Sequence, residues 1–327
     1  MALTTNWLRT HPDDNTAHYD RGIIYEIEHE YEDALIDFRD VIRRDPEYYV
    51  AYISLAVNAA KLGRDDEAIA ALEEAIQISA RSGANPAWAH LNLAFIYEKQ
   101  GRFDEARTEY LAAIEATESG WMYYSYGQFL EARGEMDEAL GAYRDMARVS
   151  PDPGWAYGKL ADFLRRQGDL PGARDAYKTA VHYRPEDPLL HAYLGEVYFA
   201  LGRAQTEDAP RQRYYDDSRQ EFDQAVSLGP ELYYVYSSYG NVLFQIGDPE
   251  AAAANWEHSL ELRPLDGGVL LNLGWAYELL DRPGDAEATY RRILAQAEGL
   301  SEGVVQEACN RLRGLGVEDA CPEQPIL

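Results

Sequence analysis

Residues 99–106 read KQGRFDEA, and close copies stand at 61–68 (KLGRDDEA), 132–139 (ARGEMDEA) and 166–173 (RQGDLPGA). Glycine lacks the Cβ that penalises the left-handed conformation at a helix end. Acids just after it suit the positive first turn of a following helix, and an alanine five positions on lets that helix approach closely. Each copy therefore reads as the turn of one helical hairpin. The glycines at this point, Gly63, Gly101, Gly134, Gly168, Gly202 and Gly247, are spaced by 38, 33, 34, 34 and 45 residues. A period of this length marks a stack of helical repeats.

Alignment on the small residue of the first helix gives eight units, 15–48, 49–86, 87–119, 120–153, 154–187, 188–232, 233–266 and 267–300. Counted within each unit, positions 4, 7, 8 and 11 fall on one face of a helix turning about 100° per residue, so they form its core side. In the fifth unit positions 7, 8 and 11 are Leu160, Ala161 and Leu164, and positions 20, 24, 27 and 32 are Ala173, Tyr177, Ala180 and Pro185. The eighth gives Leu273, Gly274, Tyr277, Ala286, Tyr290 and Ile293 at 7, 8, 11, 20, 24 and 27. Small residues at 8 and 20 let paired helices touch, and the large residue at 24 fills the gap to the next unit. Pro46, Pro151, Pro185, Pro230 and Pro264 lie near position 32, where a second helix must stop.

This sequence of Leu-Gly/Ala, Tyr, Ala, aromatic, Ala and Pro closely resembles the tetratricopeptide repeat over about residues 15–300. The resemblance implies an all-α fold: a right-handed α-α superhelix of about eight hairpins, with the first helices lining a concave groove. Residues 301–316 resemble a capping helix, with Val304, Val305, Ala308, Cys309 and Leu312 on its inner side. Residues 1–14 read as the end of a preceding helix whose Trp7 and Leu8 cover the first unit, and 317–327 as a flexible tail. The second unit's extra ISARSGANP (78–86) adds about one turn to its second helix and a loop. The sixth unit's 11 extra residues, around 203–217, read as a projecting hairpin or loop, either a tolerated insertion or a partner contact using Tyr214 and Tyr215.

Composition narrows the function. With 57 acidic against 30 basic residues, the 327-residue chain carries a formal charge of −27, which repels phosphate backbones and anionic lipid surfaces. No nucleic acid is expected as a partner. No run of about 18 apolar residues exists to insert in a membrane. The start, MALTTNWLRTHPDD, lacks both a charged leader and an apolar core, so the cytoplasm is the expected location. Cys309 and Cys321, without neighbouring metal-finger partners, read as two reduced thiols. The seven histidines are scattered, and neither an HExxH pair, a GxSxG elbow nor a glycine-rich phosphate loop is present. No catalytic residue, metal or cofactor is expected.

Positions 2, 5, 9 and 12 of each first helix lie opposite its core side. They hold Tyr19, Trp88, Phe95, Trp121, Tyr124, Trp155, Phe199, Tyr234, Phe244 and Trp275, either a binding face or a cover for neighbouring helices. Asn92 and Asn272 at position 6 and Asn241 at position 9 join them; in peptide-binding members of the family such asparagines grip an extended backbone, since an amide both donates and accepts. Lys61, Lys99, Lys159, Arg165 and Arg166 could hold a carboxylate there, or offset a helix C-terminus. The lysine that chaperone-binding relatives carry at position 5 is replaced by Tyr19, Ile53, Leu91, Tyr124, Gly158, Ala192, Ser237 and Leu271, so that clamp is missing. The reading is a non-catalytic scaffold or adaptor that binds a peptide or protein segment in the groove. Self-association as a solenoid, or service as an accessory module of a larger enzyme or signalling complex, stand as alternatives.

Overall fold

The computed structural model describes residue 11 and residues 13–317. Among them are seventeen α-helices, one 3-10 turn and no strand, so the fold is an all-α helical repeat. The chain forms two compact units, one up to Pro151 and one from Asp152. The first contains α1 (Asn15–Ile27), α2 (Tyr31–Arg44), α3 (Tyr49–Lys61), α4 (Asp65–Ser82), α5 (Ala87–Lys99), α6 (Phe103–Ala116), α7 (Gly120–Ala132) and α8 (Met136–Val149). The second contains α9 (Pro153–Arg166), α10 (Leu170–Tyr183), α11 (Pro188–Arg203), α12 (Asp208–Leu228), α13 (Tyr233–Gln245), α14 (Pro249–Leu262), α15 (Gly267–Leu279), α16 (Pro283–Leu294) and α17 (Glu302–Gly314). Helices pair consecutively as hairpins from α1 with α2 to α15 with α16, and α17 packs on α15 and α16.

The hairpin turns follow from backbone freedom. Gly63, Gly101, Gly134, Gly168 and Gly247 all have φ between 75° and 88°. In the first and last hairpins the left-handed residue is instead His29 (φ 62°) or Asp281 (φ 56°), two of the side-chain types that enter this region most readily. The acids that follow, such as Asp65, Asp66 and Glu67 in α4, occupy the first turn of the second helix.

Side-chain volume then sets how the two helices close. Position 24 is filled by Phe38, Leu72, Tyr110, Tyr143, Tyr177, Phe222, Trp256 and Tyr290, all essentially without solvent contact. Opposite them, position 8 has no room for bulk: a Cβ on Gly22 would come 2.6 Å from Phe38 Cε1, on Gly240 2.5 Å from Trp256 Nε1, and on Gly274 2.3 Å from Tyr290 Cε1. The large side chain therefore lies on its own hairpin's first helix. It also reaches the next one: Phe222 stacks on Tyr239 at 5.0 Å, and Tyr110 lies 5.0 Å from Phe129. Burying such a side chain contributes roughly 1.5–3 kcal/mol. Each hydroxyl needs a partner in return, and Tyr110, Tyr143 and Tyr290 donate to Glu98, Glu131 and Glu278 on the preceding helix.

Three expectations are corrected. Gly202 does not end a helix, since α11 runs on to Arg203; it serves close approach, because a Cβ there would meet Tyr215 Cε1 at 2.6 Å. The sixth unit's hairpin is longer, as its sequence suggests, its extra residues going mainly into helix length and leaving only 204–207 between α11 and α12, but its tyrosines are not free for a partner. Tyr215 stacks on Phe199 at 5.8 Å and Tyr214 lies 6.3 Å from Tyr198, so the two tyrosines pack onto α11. Cys309 is buried and disulfide-bonded, not a reduced thiol; the chain's other cysteine, Cys321, falls outside the described residues, as do Trp7 and Leu8.

Candidate functional site

In the first compact unit, α5 carries Trp88, Asn92, Phe95 and Lys99 at spacings of four, three and four residues, which lines them along one helix face. Trp88 is 54% and Phe95 42% exposed, although both are large apolar side chains. Val57, Lys61, Asn92, Phe95 and Lys99 border a depression of about 370 Å³ between α3 and α5. A second, of about 590 Å³, lies between α5 and α7, bordered by Phe95, Lys99, Gln128 and Phe129. Phe95 and Lys99 thus belong to both. Trp121 on α7 is also about half exposed, with its ring 5.7 Å from Tyr124.

Not every predicted residue is available here. Tyr19 is held by packing, its ring 5.5 Å from both Phe38 and Tyr48 and its hydroxyl 3.0 Å from Ser54 Oγ. Burial raises its pKa. Asn92 donates its amide to the Trp88 carbonyl at 2.7 Å, leaving its side-chain oxygen as the free acceptor. Lys99 Nζ lies 3.1 Å from Asp65 Oδ1, so its charge is partly answered from α4.

In the second unit, Asp152 caps α9 through the Trp155 N–H, and Asp187 caps α11 through the N–H groups of Leu189 and Leu190. Each cap fixes where its own helix begins. Trp155, Lys159, Leu189, Leu190 and Tyr193 enclose a pocket of about 190 Å³ between them. Arg165 is 5.8 Å from the Tyr193 ring and 3.8 Å from Glu196. Burial raises the Glu196 carboxyl, against a hydrogen bond from Ser238 and the pull of Arg165. Arg166 is exposed at the end of α9.

Further along, Tyr234 is exposed with its ring against Tyr233. Asn272 donates to Asn241 at 3.0 Å, so the two amides pair with each other and keep one donor group and one acceptor oxygen between them. Phe244 lies between Trp256 and Trp275, at 5.4 and 5.1 Å. Trp275 stays 43% exposed, with the Arg311 guanidinium of α17 5.1 Å from its ring. Phe199 is corrected to a core residue: it is buried against Tyr215, because the lengthened α12 covers it. Tyr193 and Glu196, at positions 6 and 9 of the sixth unit, escape the sequence reading. A signal for them exists, since position 6 also holds Asn92, Lys159 and Asn272 in other units.

Family models described as tetratricopeptide repeat match residues 48–119 and, for another, residues 91–153 and 239–301; a third, described as TPR repeat, matches 161–202. The chain is a tetratricopeptide repeat protein. Such proteins are generally protein–protein interaction scaffolds. No curated protein matches this one. Among solved structures, it is similar to the C-terminal part of a TPR repeat-containing protein from Cytophaga hutchinsonii, with 16% identity and a TM-score of 0.57 over 78% of this chain and 99% of that one. A thermophilic TPR protein of Thermus thermophilus aligns at 22% identity and a TM-score of 0.46, over 59% and 99%. MamA of Desulfovibrio magneticus aligns at 16% and 0.47, over 56% and 97%. Among the described residues of this repeat protein, no helix is long and apolar enough to cross a membrane, and no three His, Cys, Asp or Glu side chains form a metal-binding set.

Proposed function

We propose that this protein is a non-catalytic scaffold whose first-helix faces bind an extended segment of a partner protein. The observation that carries the reading is the exposure of Trp88, Phe95, Trp121, Tyr234 and Trp275, all on first helices and all at positions 2 or 9. The core leaves much of each ring uncovered, and an aromatic side chain of a partner packed on one would contribute about 0.5–1.5 kcal/mol beyond the area it covers. The spare donor and acceptor of the Asn241–Asn272 pair match the C=O and N–H of an extended backbone, a contact independent of partner sequence.

The test is affinity capture on the full chain. A partner held by the protein and by Glu73→Ala, which alters an exposed residue of α4, should be lost from Trp88→Ala, Phe95→Ala and Trp275→Ala. Retention on all three aromatic variants would move the site to another surface.

A further inference from the structure

We infer that the pocket between α9 and α11 is a subsite for one acidic side chain of the bound segment, with Lys159 as its counter-ion. The inference rests on the peptide-binding reading and names the chemistry one part of that surface accepts.

The pocket's apolar walls are Trp155, Leu189, Leu190 and Tyr193. Its floor includes Gly158, where even a Cβ would stand 3.2 Å from Leu190 Cδ2, so a side chain at this position would intrude on the space. Four charged residues line it, and three are already satisfied. Asp162 accepts from the Tyr177 hydroxyl. Asp187 caps α11, and Arg184 binds Asp152 and Asp187. Lys159 alone of the four has neither an ion pair nor a hydrogen bond among the described residues, although it is half-buried. In a chain with 57 acids and 30 bases, an ammonium without a carboxylate, set beside aliphatic walls and an indole, is fitted to pair with one brought by a ligand.

Charge also limits what that ligand is. The overall charge of −27 repels a run of acids as they approach, while a salt-screened field decays over about 8 Å. Contact pairing inside the pocket survives that screening. A volume of about 190 Å³ accommodates a single side chain. The occupant is therefore one glutamate or aspartate flanked by apolar residues, with its methylene stem against Leu189 and Trp155 and its carboxylate on Lys159 Nζ.

Random dodecapeptides displayed on phage should be selected against the immobilised full-length protein, and in parallel against Lys159→Glu. The wild type should enrich peptides with one acid between apolar residues, and the variant should enrich a basic residue at that place. For a synthetic copy of a selected peptide, Lys159→Gln should weaken binding about tenfold, the worth of one charge-assisted hydrogen bond. Replacing the peptide's acid by its amide should cost the same on the wild type and little more on Lys159→Gln. Selected peptides that bind but lose nothing on amidation would overturn the subsite and leave the scaffold reading standing. Failure of the wild type to enrich any peptide would overturn both.

Discussion

His191 on α11 stands between two acceptors, its Nδ1 2.7 Å from Glu221 Oε2 on α12 and its Nε2 3.0 Å from the Pro185 carbonyl oxygen. An imidazole donates from both nitrogens only when protonated, so this geometry holds the imidazolium. Its pKa is raised, chiefly by the Glu221 hydrogen bond, against the opposing cost of burial and with further help from the Pro185 carbonyl and Asp187. The histidine–carboxylate contact is repeated: His18 Nδ1 lies 3.1 Å from Asp37 and His90 Nδ1 2.6 Å from Glu109, always position 4 against position 23. Where position 4 is Tyr52, Tyr123 or Tyr157, position 23 is Ala71, Ala142 or Ala176.

Because the folded pKa of His191 lies above its unfolded value, the charged pair adds stability below the unfolded pKa of about 6.5. That contribution disappears as pH rises through the folded pKa. Urea titrations of wild type and His191→Gln should therefore differ most near pH 6 and converge toward pH 9. A difference that stays constant across this range would mean the pair is not what the histidine contributes.

Glycine substitutions at two helical positions should have opposite signs. Gly240→Ala drives a methyl into the Trp256 indole, whose Nε1 is also tied to the Ser237 carbonyl at 3.3 Å, and should cost about 1–3 kcal/mol by overpacking. Gly141 in α8 meets nothing within 4 Å, so Gly141→Ala should stabilise by roughly 0.5–1 kcal/mol through helix propensity alone. Equilibrium denaturation of both variants checks the pair.

The tip of the long hairpin is closed by Arg211, whose guanidinium donates to the carbonyls of Gln205 and Thr206 and lies 2.9 Å from Asp208. Arg211→Ala should speed protease cleavage between residues 203 and 208 while the melting temperature changes little, since Tyr214 and Tyr215 still hold α12 to α11. A large fall in melting temperature would show that the tip supports the core.

Asn241 and Trp88 should separate stability from binding. Asn241→Ala leaves the Asn272 amide without its partner, and should cost about 0.5–1.5 kcal/mol of stability along with any peptide affinity. Trp88→Ala removes a half-exposed ring and should change stability by less than about 0.5 kcal/mol, while weakening binding to peptides that reach α5. Calorimetric melts and fluorescence polarisation read the two effects.

The repeat itself was legible because its causes are local. A glycine that ends a helix, acids that open the next, and a small residue facing a large one recur at fixed spacing, so Gly101 and Ala106 announce a hairpin without reference to the rest of the chain. Position 24 could be read as core from Tyr177 or Trp256, since an amphipathic helix turns its large apolar side chains to its inner face. The exposed Trp88, Phe95 and Trp275 were also legible, because their angular positions put them opposite that core.

What only the tertiary structure decided depends on neighbours that helical periodicity does not encode. Phe199 occupies the same angular position as Phe244, yet a lengthened α12 brings Tyr215 over it. Gly202 matches the other turn glycines in sequence, but once α11 continues past it, close approach and not a left-handed turn is what it supplies. Asn241 and Asn272 lie 31 residues apart and meet only because their helices stack. Lys159 differs from Lys99 in the same way: a carboxylate from another helix lies beside Lys99 and none pairs with Lys159 among the described residues. Spacing within one helix fixes which way a side chain points; the helices packed against it determine whether that side is open, covered or paired.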